Sequence, residues 1–198
     1  MSQNNIVFST PWFHVEAMAS SGQGEAEHHP YYRIVEQDGV CAVVLTMADE
    51  VVLIRQYRPA IEKEILEFPA GAVRSGESLL AATSRELIEE TGYQCTTWVY
   101  GGSTLLRPDR CTNRSYGFLG VGATPVADWQ GPAGIKRVLL PRSVFRAEIK
   151  QSKDVLLAGL GFFTVALIRY GINFLEDPLE IITEKMQKIS IKETMDLT

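Results

Sequence analysis

The chain has 198 residues, of which 45% are hydrophobic and 22% are charged, and its formal net charge is −5. This composition is typical of a soluble protein with one domain, or with one domain and a small appendage. The acidic balance excludes the broad basic surface that nucleic-acid-binding proteins present, so no nucleic-acid partner is expected. The three cysteines lack metal-ligand spacing and predict a reducing, cytoplasmic setting. The first ten residues are polar and predict no signal peptide.

Residues 1–39 are predicted to form a small N-terminal β unit. Two runs with strand-like composition, Phe8–Val15 and Tyr31–Val35, flank a polar linker at Ser20–His29 and predict two or three strands. A unit of this size is too small to bury a core of its own. We therefore expect it to pack against another surface, and to take part in dimerisation.

Residues 40–198 are predicted to form the main domain, with a helical C-terminal part. The predicted elements, in chain order, are strands at Cys41–Thr46 and Val51–Tyr57, a helix at Leu79–Thr91, strands at Trp98–Thr104 and Tyr116–Val121, and helices at Arg142–Lys150 and Lys153–Tyr170. This order predicts an α/β (α+β) fold in which a mixed β-sheet is sandwiched between helices.

Two C-terminal stretches need separate interpretation. Val155–Ile168 carries no charge but is shorter than the roughly 20 residues that a membrane-spanning helix needs. It predicts a helix buried in the core or in a subunit interface, and no membrane partner. The polar tail from Glu176 to Thr198 is compatible with a short surface helix or with disorder.

Residues 71–93 read GAVRSGESLLAATSRELIEETGY and predict an amphipathic helix. Leu80, Ala81, Leu87 and Ile88 fall on one stripe, whereas Glu86, Glu89 and Glu90 fall on roughly the opposite, outward side. Ser75 or Ser78 is suited to cap the helix, and Gly92 is suited to end it. The glutamates form either a solvated face, with Arg85 paired to Glu89, or a site for a hard divalent cation such as Mg²⁺.

The fixed points of this segment are Gly71, Glu77, Arg85-Glu86, Glu89-Glu90 and Gly92. They resemble the Nudix box, G-x5-E-x7-R-E-U-x-E-E-x-G-U, at every position, with Leu87 and Tyr93 as the apolar U residues. The resemblance implies a hydrolase that cleaves a diphosphate linked to a nucleoside with the help of Mg²⁺ or Mn²⁺. It assigns Glu86, Glu90 and the carbonyl of Ala70 to metal binding. It makes Glu89 and Glu77 either ligands of additional metal ions or carboxylates that lie just outside the ligand shell. It makes Arg85 the residue that orients the glutamates through hydrogen bonds.

The sequence around the box resembles the ADP-ribose pyrophosphatase branch of that family. RQYRP and EFPAG precede the box, and Pro108 lies 16 residues beyond Gly92. The branch implies hydrolysis of ADP-ribose to AMP and a sugar phosphate by a homodimer. It implies substrate contacts for Arg58 and Arg55, for which ion pairs with Glu62, Glu64 or Glu67 are the alternative. Trp12 is a candidate to stack on the nucleobase, or else a core or interface residue.

The loop that follows Pro108 departs from the branch. The branch places a glutamate, assigned as the catalytic base, where this chain has Asn113. Either Asp109 replaces it, or a box glutamate serves as base, or the activity differs; Asp109 is equally suited to cap a turn. Arg110 and Arg114 add positive charge that suits a phosphate-rich substrate. The alternatives are therefore a Nudix hydrolase of another nucleoside diphosphate derivative and a non-catalytic nucleotide-sensing domain.

Overall fold

The computed structural model describes residues 5–18, 30–151 and 159–189. The strands that form its main sheet are β4 (Gly39–Thr46), β5 (Glu50–Arg58), β6 (Lys63–Glu67), β7 (Ala70–Ala72), β8 (Tyr93–Gln94), β9 (Thr97–Thr104), β10 (Ser115–Pro125) and β11 (Ile135–Pro141). The order is β11-β5-β4-β10-β8, with β6 on β5, β7 on β4 and β9 on β10. Only the β4–β10 pair of this sheet is parallel in the described residues, so the sheet is mixed, as predicted.

Helices cover both faces of this sheet. Along β4 the side chains alternate, so that Val43 and Leu45 face one cluster of buried residues and Ala42 and Val44 face another. The second cluster includes Leu87 of α1 (Leu79–Thr91). The first cluster is covered by α2 (Arg142–Lys150), α3 (Leu160–Tyr170) and α4 (Leu179–Lys188). The predicted sandwich of a mixed sheet between helices is therefore confirmed.

The N-terminal strands form a second, three-stranded antiparallel sheet. Its strands are β1 (Asn5–Ser9), β2 (Phe13–Met18) and β3 (Tyr31–Glu36), in that order. The prediction of two or three strands is confirmed. The run Phe8–Val15 spans the end of β1 and the start of β2, because the backbone turns between them. There the Thr10 hydroxyl bonds both the N–H and the carbonyl of Phe13. The linker Ser20–His29 lies outside the described residues.

This small sheet joins the main domain through the loop between β9 and β10. Ile34 and Cys111 form a parallel β-bridge, in which Ile34 N–H donates to the Arg110 carbonyl at 2.7 Å. Thr112 N–H donates to the Ile34 carbonyl at 3.1 Å. The loop is thus built partly on a strand of the other sheet.

The C-terminal part is helical, as predicted, but not every observed helix has the predicted limits. The helix predicted at Lys153–Tyr170 is described only from Leu160, because residues 152–158 lie outside the described residues. Phe162, Phe163 and Ala166 of α3 are buried, as predicted for the uncharged stretch, whereas Ile168 is 80% exposed. Part of the polar tail forms α4, a helix that buries Ile182 and Met186. No helix among the described residues is long and apolar enough to cross a membrane.

Candidate active site

Helix α1 carries the glutamates, and local signals set its limits. The Ser78 hydroxyl accepts from the Ala81 N–H at the start, and Gly92 ends the helix with φ of 66°. The predicted apolar stripe is only partly right, because Ala81 and Ile88 are exposed while Leu87 is fully buried. The inward face is completed by Glu90 and by the small residues Ala82, Thr83 and Thr91.

The outward position predicted for the Glu90 carboxylate is wrong. Glu90 is only 9% exposed, because β7 passes over this part of α1 and the Ala70 N–H donates to Glu90 Oε2 at 3.0 Å. Glu86 is likewise mostly covered, with 13% of its side chain exposed. The backbone of β7 lies so close that a Cβ atom on Gly71 would come within 2.2 Å of the Glu86 carboxyl carbon. The first glycine of the box therefore makes room for the Glu86 carboxylate.

Burial changes the charge state that Glu90 prefers. Removal from water raises the pKa of Glu90 to about 7, and repulsion by Glu86 and Glu67 adds to the rise. The Ala70 N–H and the charge of Arg58 act in the opposite direction. Two carboxylates, Glu86 and Glu90, are thus held together in a poorly solvated place, which is unfavourable unless a positive charge joins them.

Arg85 supplies part of that positive charge. Its guanidinium donates to Glu77 at 2.8 Å, to Glu86 at 2.5 Å, to Glu89 at 3.2 Å and to the Ala72 carbonyl at 2.9 Å. The hydrogen bonds from Arg85 hold the pKa of Glu77 at about 2. The predicted Arg85–Glu89 pair is present, as one contact of a guanidinium that links three carboxylates to the backbone of β7.

The donor chemistry of this face fits a hard divalent cation. Mg²⁺ binds oxygen, takes few protein carboxylates and completes its shell with water and substrate phosphate. Glu86 and Glu90 repel each other, and a cation would relieve that repulsion. Within the described ranges no group of three or more His, Cys, Asp or Glu side chains is arranged to hold a metal ion. One guanidinium nitrogen of Arg85 donates to both Glu86 and Glu89, whereas the Glu90 carboxylate accepts from the Ala70 N–H. The three carboxylates are therefore directed to these donors and not to one common point.

The two arginines of β5 have different surroundings. Arg58 forms a bidentate pair with the buried carboxylate of Glu67, with contacts of 2.9 Å and 3.0 Å. Ion pairing was the alternative role for Arg58, but the partner carboxylate is buried rather than on the surface. Arg58 also lowers the pKa of Glu90, so it acts on the acidic site. Arg55 is exposed and lies opposite Lys136 of β11.

The loop after Pro108 faces the N-terminal sheet. Asp109 is exposed and paired to Arg107 at 3.4 Å, which keeps the pKa of Asp109 below its usual value. Its carbonyl accepts from the Tyr31 hydroxyl, and the Arg110 guanidinium stacks 5.2 Å from the Tyr31 ring centre. The Arg110 N–H returns to the Arg107 carbonyl at 2.9 Å, so Asp109 sits in a tight turn.

The end of this loop adjoins the main sheet. The Arg114 N–H donates to the Asp38 carboxylate at 2.7 Å, and the Arg114 carbonyl accepts from Gly39. The backbone carbonyl of Asp38 accepts from the N–H of Val73, the residue that follows β7. The loop therefore reaches β7 through its backbone. Among the described contacts, none joins a side chain of this loop to a glutamate of α1.

Trp12 lies far from any core. It is 79% exposed and lines a shallow cavity of about 320 Å³ between the β1–β2 turn and the end of β3. The core role considered for Trp12 is therefore wrong for this chain. Its two other candidate roles, at a subunit interface or against a nucleobase, need an exposed ring.

A second cavity, of about 520 Å³, lies beside the glutamates of α1. One wall carries Glu86, Ile88, Glu89 and Glu90, and the other carries Trp129, Gln130, Pro132 and Ile135. Sequence reasoning missed the second wall entirely. The available signal was a tryptophan in a loop rich in glycine and proline, VADWQGPAG, which has no periodic pattern.

Comparisons with known proteins place this geometry in a family. The NUDIX domain model matches residues 35–153, which is more than half of the chain. The chain is 54% identical over 44 residues to an ADP-sugar pyrophosphatase of Mus musculus, covering 22% of this chain and 20% of that protein. It is 42% identical over 62 residues to an ADP-ribose pyrophosphatase of Bacillus subtilis, covering 30% and 33%. A methanol dehydrogenase activator of Bacillus methanolicus is 44% identical over 63 residues, covering 31% and 34%.

These alignments span about a third or less of the length of the curated relatives. A solved structure described as an ADP compounds hydrolase is 21% identical, with a TM-score of 0.65 over 83% of this chain and 89% of that one. This likeness shows the fold. The domain match covers the whole of the box together with the sheet that carries it, and the chain belongs to the Nudix family.

Proposed function

We propose that the chain hydrolyses the pyrophosphate bond of a nucleoside diphosphate sugar, with ADP-ribose as the leading substrate and AMP and a sugar phosphate as products. The observation that carries the proposal is the buried pair of Glu86 and Glu90 beside a cavity of about 520 Å³. Carboxylates are rarely buried without a cationic partner. Arg85 pairs with Glu86, whereas the described hydrogen bond of Glu90 is to the Ala70 N–H. The pair opens onto a space of the size that small-molecule ligands occupy.

Glu86, Glu90 and the Ala70 carbonyl would hold Mg²⁺ or Mn²⁺. When bound, the ion lowers the pKa of an attacking water and offsets the charge that builds on the phosphoryl oxygens. Arg85 fixes the rotamers of Glu77, Glu86 and Glu89 by four hydrogen bonds, and a fifth bond joins it to the Ala72 carbonyl. Arg58 binds phosphate oxygens after a partial release from Glu67, with Arg110 and Arg114 as further cations.

The geometry favours a box glutamate over Asp109 as general base. Asp109 is paired with Arg107, and a lowered pKa weakens a carboxylate as proton acceptor. Glu89 is also paired, with Arg85 and Arg74, but it lines the cavity beside Glu86 and Glu90 and is half exposed, whereas Asp109 does not line that cavity. We place the reaction in a reducing compartment such as the cytoplasm, because the three cysteines are free.

The test is a turnover screen with Mg²⁺ and Mn²⁺. ADP-ribose is compared with other ADP-sugars, dinucleotides and modified nucleotides, and AMP release is measured. Glu86→Gln and Glu90→Gln should lower turnover by about 10²-fold or more, since each removes a ligand of the ion that stabilises the transition state. Glu184→Gln, in an exposed pair with Lys188 on α4, is the matched control.

Each outcome separates the candidate functions. If a different nucleoside diphosphate derivative is turned over, with the same dependence on Glu86 and Glu90, the chain is a Nudix hydrolase whose substrate is that derivative and not ADP-ribose. Nucleotide binding without turnover of any compound would favour the sensing domain. Full activity in excess chelator would overturn the role given to Glu86 and Glu90.

A further inference from the structure

The C-terminal turn of α1 is closed by groups from residues 126–137. The Glu89 carbonyl accepts from the Trp129 indole N–H at 3.2 Å, and the Thr91 carbonyl accepts from the Arg137 guanidinium at 2.9 Å. The Gly92 carbonyl accepts from the Val126 N–H at 2.7 Å. The last carbonyls of a helix have no partners within it, so this segment completes the helix end from outside.

Stacking reinforces these bonds. A Cβ atom on Gly92 would lie 2.4 Å from the Trp129 ring, so the ring lies directly on the backbone of the helix end. The Arg137 guanidinium stacks 4.9 Å from the centre of Trp129 and 5.4 Å from that of Tyr93. A positive charge here also interacts favourably with the C-terminal end of the helix dipole. Glycine is therefore required at position 92 for two reasons: the backbone there is left-handed, and the Trp129 ring occupies the space that a side chain would fill.

Two of the glutamates that have a role in the proposed function lie in this turn. Glu89 and Glu90 are among the last three residues of α1. Helix ends open more readily than helix centres, and a metal ligand that moves by about 1 Å loses much of its effect. Trp129 also lines the cavity opposite Glu86, Glu89 and Glu90, so one side chain contacts both the helix end and the space where a substrate would lie.

We propose that Trp129 and Arg137 are positioning residues that hold the last turn of α1, and with it Glu89 and Glu90, in the orientation that metal binding requires. This inference rests on the proposed function and deepens it, because it makes Trp129, in the loop between β10 and β11, and Arg137, in β11, supports of the metal-binding face. Neither residue touches the cation or the diphosphate. Both act through backbone carbonyls and through the ring stack on Gly92.

Conservative variants test the pair. Trp129→Phe keeps a ring on Gly92 and removes the indole N–H, whereas Arg137→Lys keeps the charge and removes the planar stack. Arg146→Lys is the matched control, because Arg146 pairs with Glu176 at 2.9 Å on the surface of α2. The measurements are kcat and KM, Mg²⁺ affinity from thermal shift without substrate, amide hydrogen exchange in α1, and unfolding in chelator.

Each variant should weaken Mg²⁺ affinity and lower kcat between about two-fold and ten-fold, as expected for loss of one hydrogen bond or stack. KM should change less, exchange should speed up for amides at the end of α1 alone, and unfolding in chelator should stay close to wild type. Arg146→Lys should leave every value unchanged.

Three results would overturn the proposal: unchanged Mg²⁺ affinity in both variants, unchanged exchange at the helix end, or an effect confined to KM. The last result would make Trp129 a substrate contact instead. If Trp129→Phe fails to fold, Arg137→Lys decides. If the wild type cleaves no nucleotide, the proposed function fails, yet Mg²⁺ affinity and exchange still decide the role of Trp129 and Arg137.

Discussion

Replacing Glu90 by Gln should make the metal-free protein more stable while it removes activity. Glu90 has a pKa of about 7 in the folded protein and 4.5 as the ordinary value. At about 1.4 kcal/mol per pH unit, this rise corresponds to about 3 kcal/mol of unfolding free energy. Gln carries no charge and keeps an oxygen that accepts from the Ala70 N–H, so it avoids the cost of a buried anion.

The sign follows from proton binding. Between pH 4.5 and about 7 the folded state keeps the proton of Glu90 that the unfolded state releases. The Glu90 contribution to stability therefore falls as pH rises through this window, and it stays low above it. The gain from Gln should be absent near pH 4 and complete at pH 8, where it would raise Tm by about 6–12 °C for a domain of this size.

The assay is thermal unfolding of both proteins from pH 4 to 9 in chelator, with Glu184→Gln as a surface control. Added Mg²⁺ should raise the Tm of the wild type and leave Glu90→Gln nearly unchanged, because a ligand stabilises only the state that binds it. The reasoning fails if Glu90→Gln is no more stable than wild type at pH 8. It fails equally if the difference between them does not depend on pH.

Three further predictions concern other parts of the chain. Arg85→Lys should lower turnover by about ten-fold or more, because an ammonium lacks the planar fork that now bonds three carboxylates and the Ala72 carbonyl; steady-state kinetics beside Arg146→Lys checks this. The protein should sediment as a homodimer at micromolar concentration, and Phe8→Glu should shift it to monomer, since β1 exposes Phe8 on the N-terminal sheet; a wild-type monomer would refute this. Asp109→Asn should leave turnover of ADP-ribose within about two-fold, because Asp109 pairs with Arg107; a large loss would restore Asp109 as the base.

The sequence predicted best what depends on neighbours along the chain. The limits of α1 follow from Ser78 and Gly92, which act within one turn of the helix. The strands of the main sheet follow from alternating or continuous apolar runs. The run Phe8–Val15 is divided between two strands because Thr10 makes a turn through its hydroxyl. Pro11, which follows Thr10 in that turn, is the signal in the sequence that marks the break.

The site was harder to predict because its environment comes from distant segments. Glu90 is buried by Ala70, which is 20 residues earlier in the chain, and no helical pattern reports that contact. The Arg58–Glu67 pair depends on the register of β5 against β6. Trp129 is 40 residues from Glu89, whose carbonyl it bonds, and only the folded sheet brings the two together. Residue types therefore indicated the chemistry, while their burial and partners needed the tertiary structure.

Because of the bridge between Ile34 and Cys111, the loop between β9 and β10 and the acidic face of α1 depend on different parts of the chain. The loop between β9 and β10 is shaped by β3, whereas the glutamates are held by β7 and by residues 126–137. An exchange of the N-terminal unit between relatives would remodel that loop and leave the acidic face of α1 as it is. Under the proposed function, relatives that differ in the N-terminal unit would differ in the substrate contacts of this loop and would keep the same metal-binding glutamates.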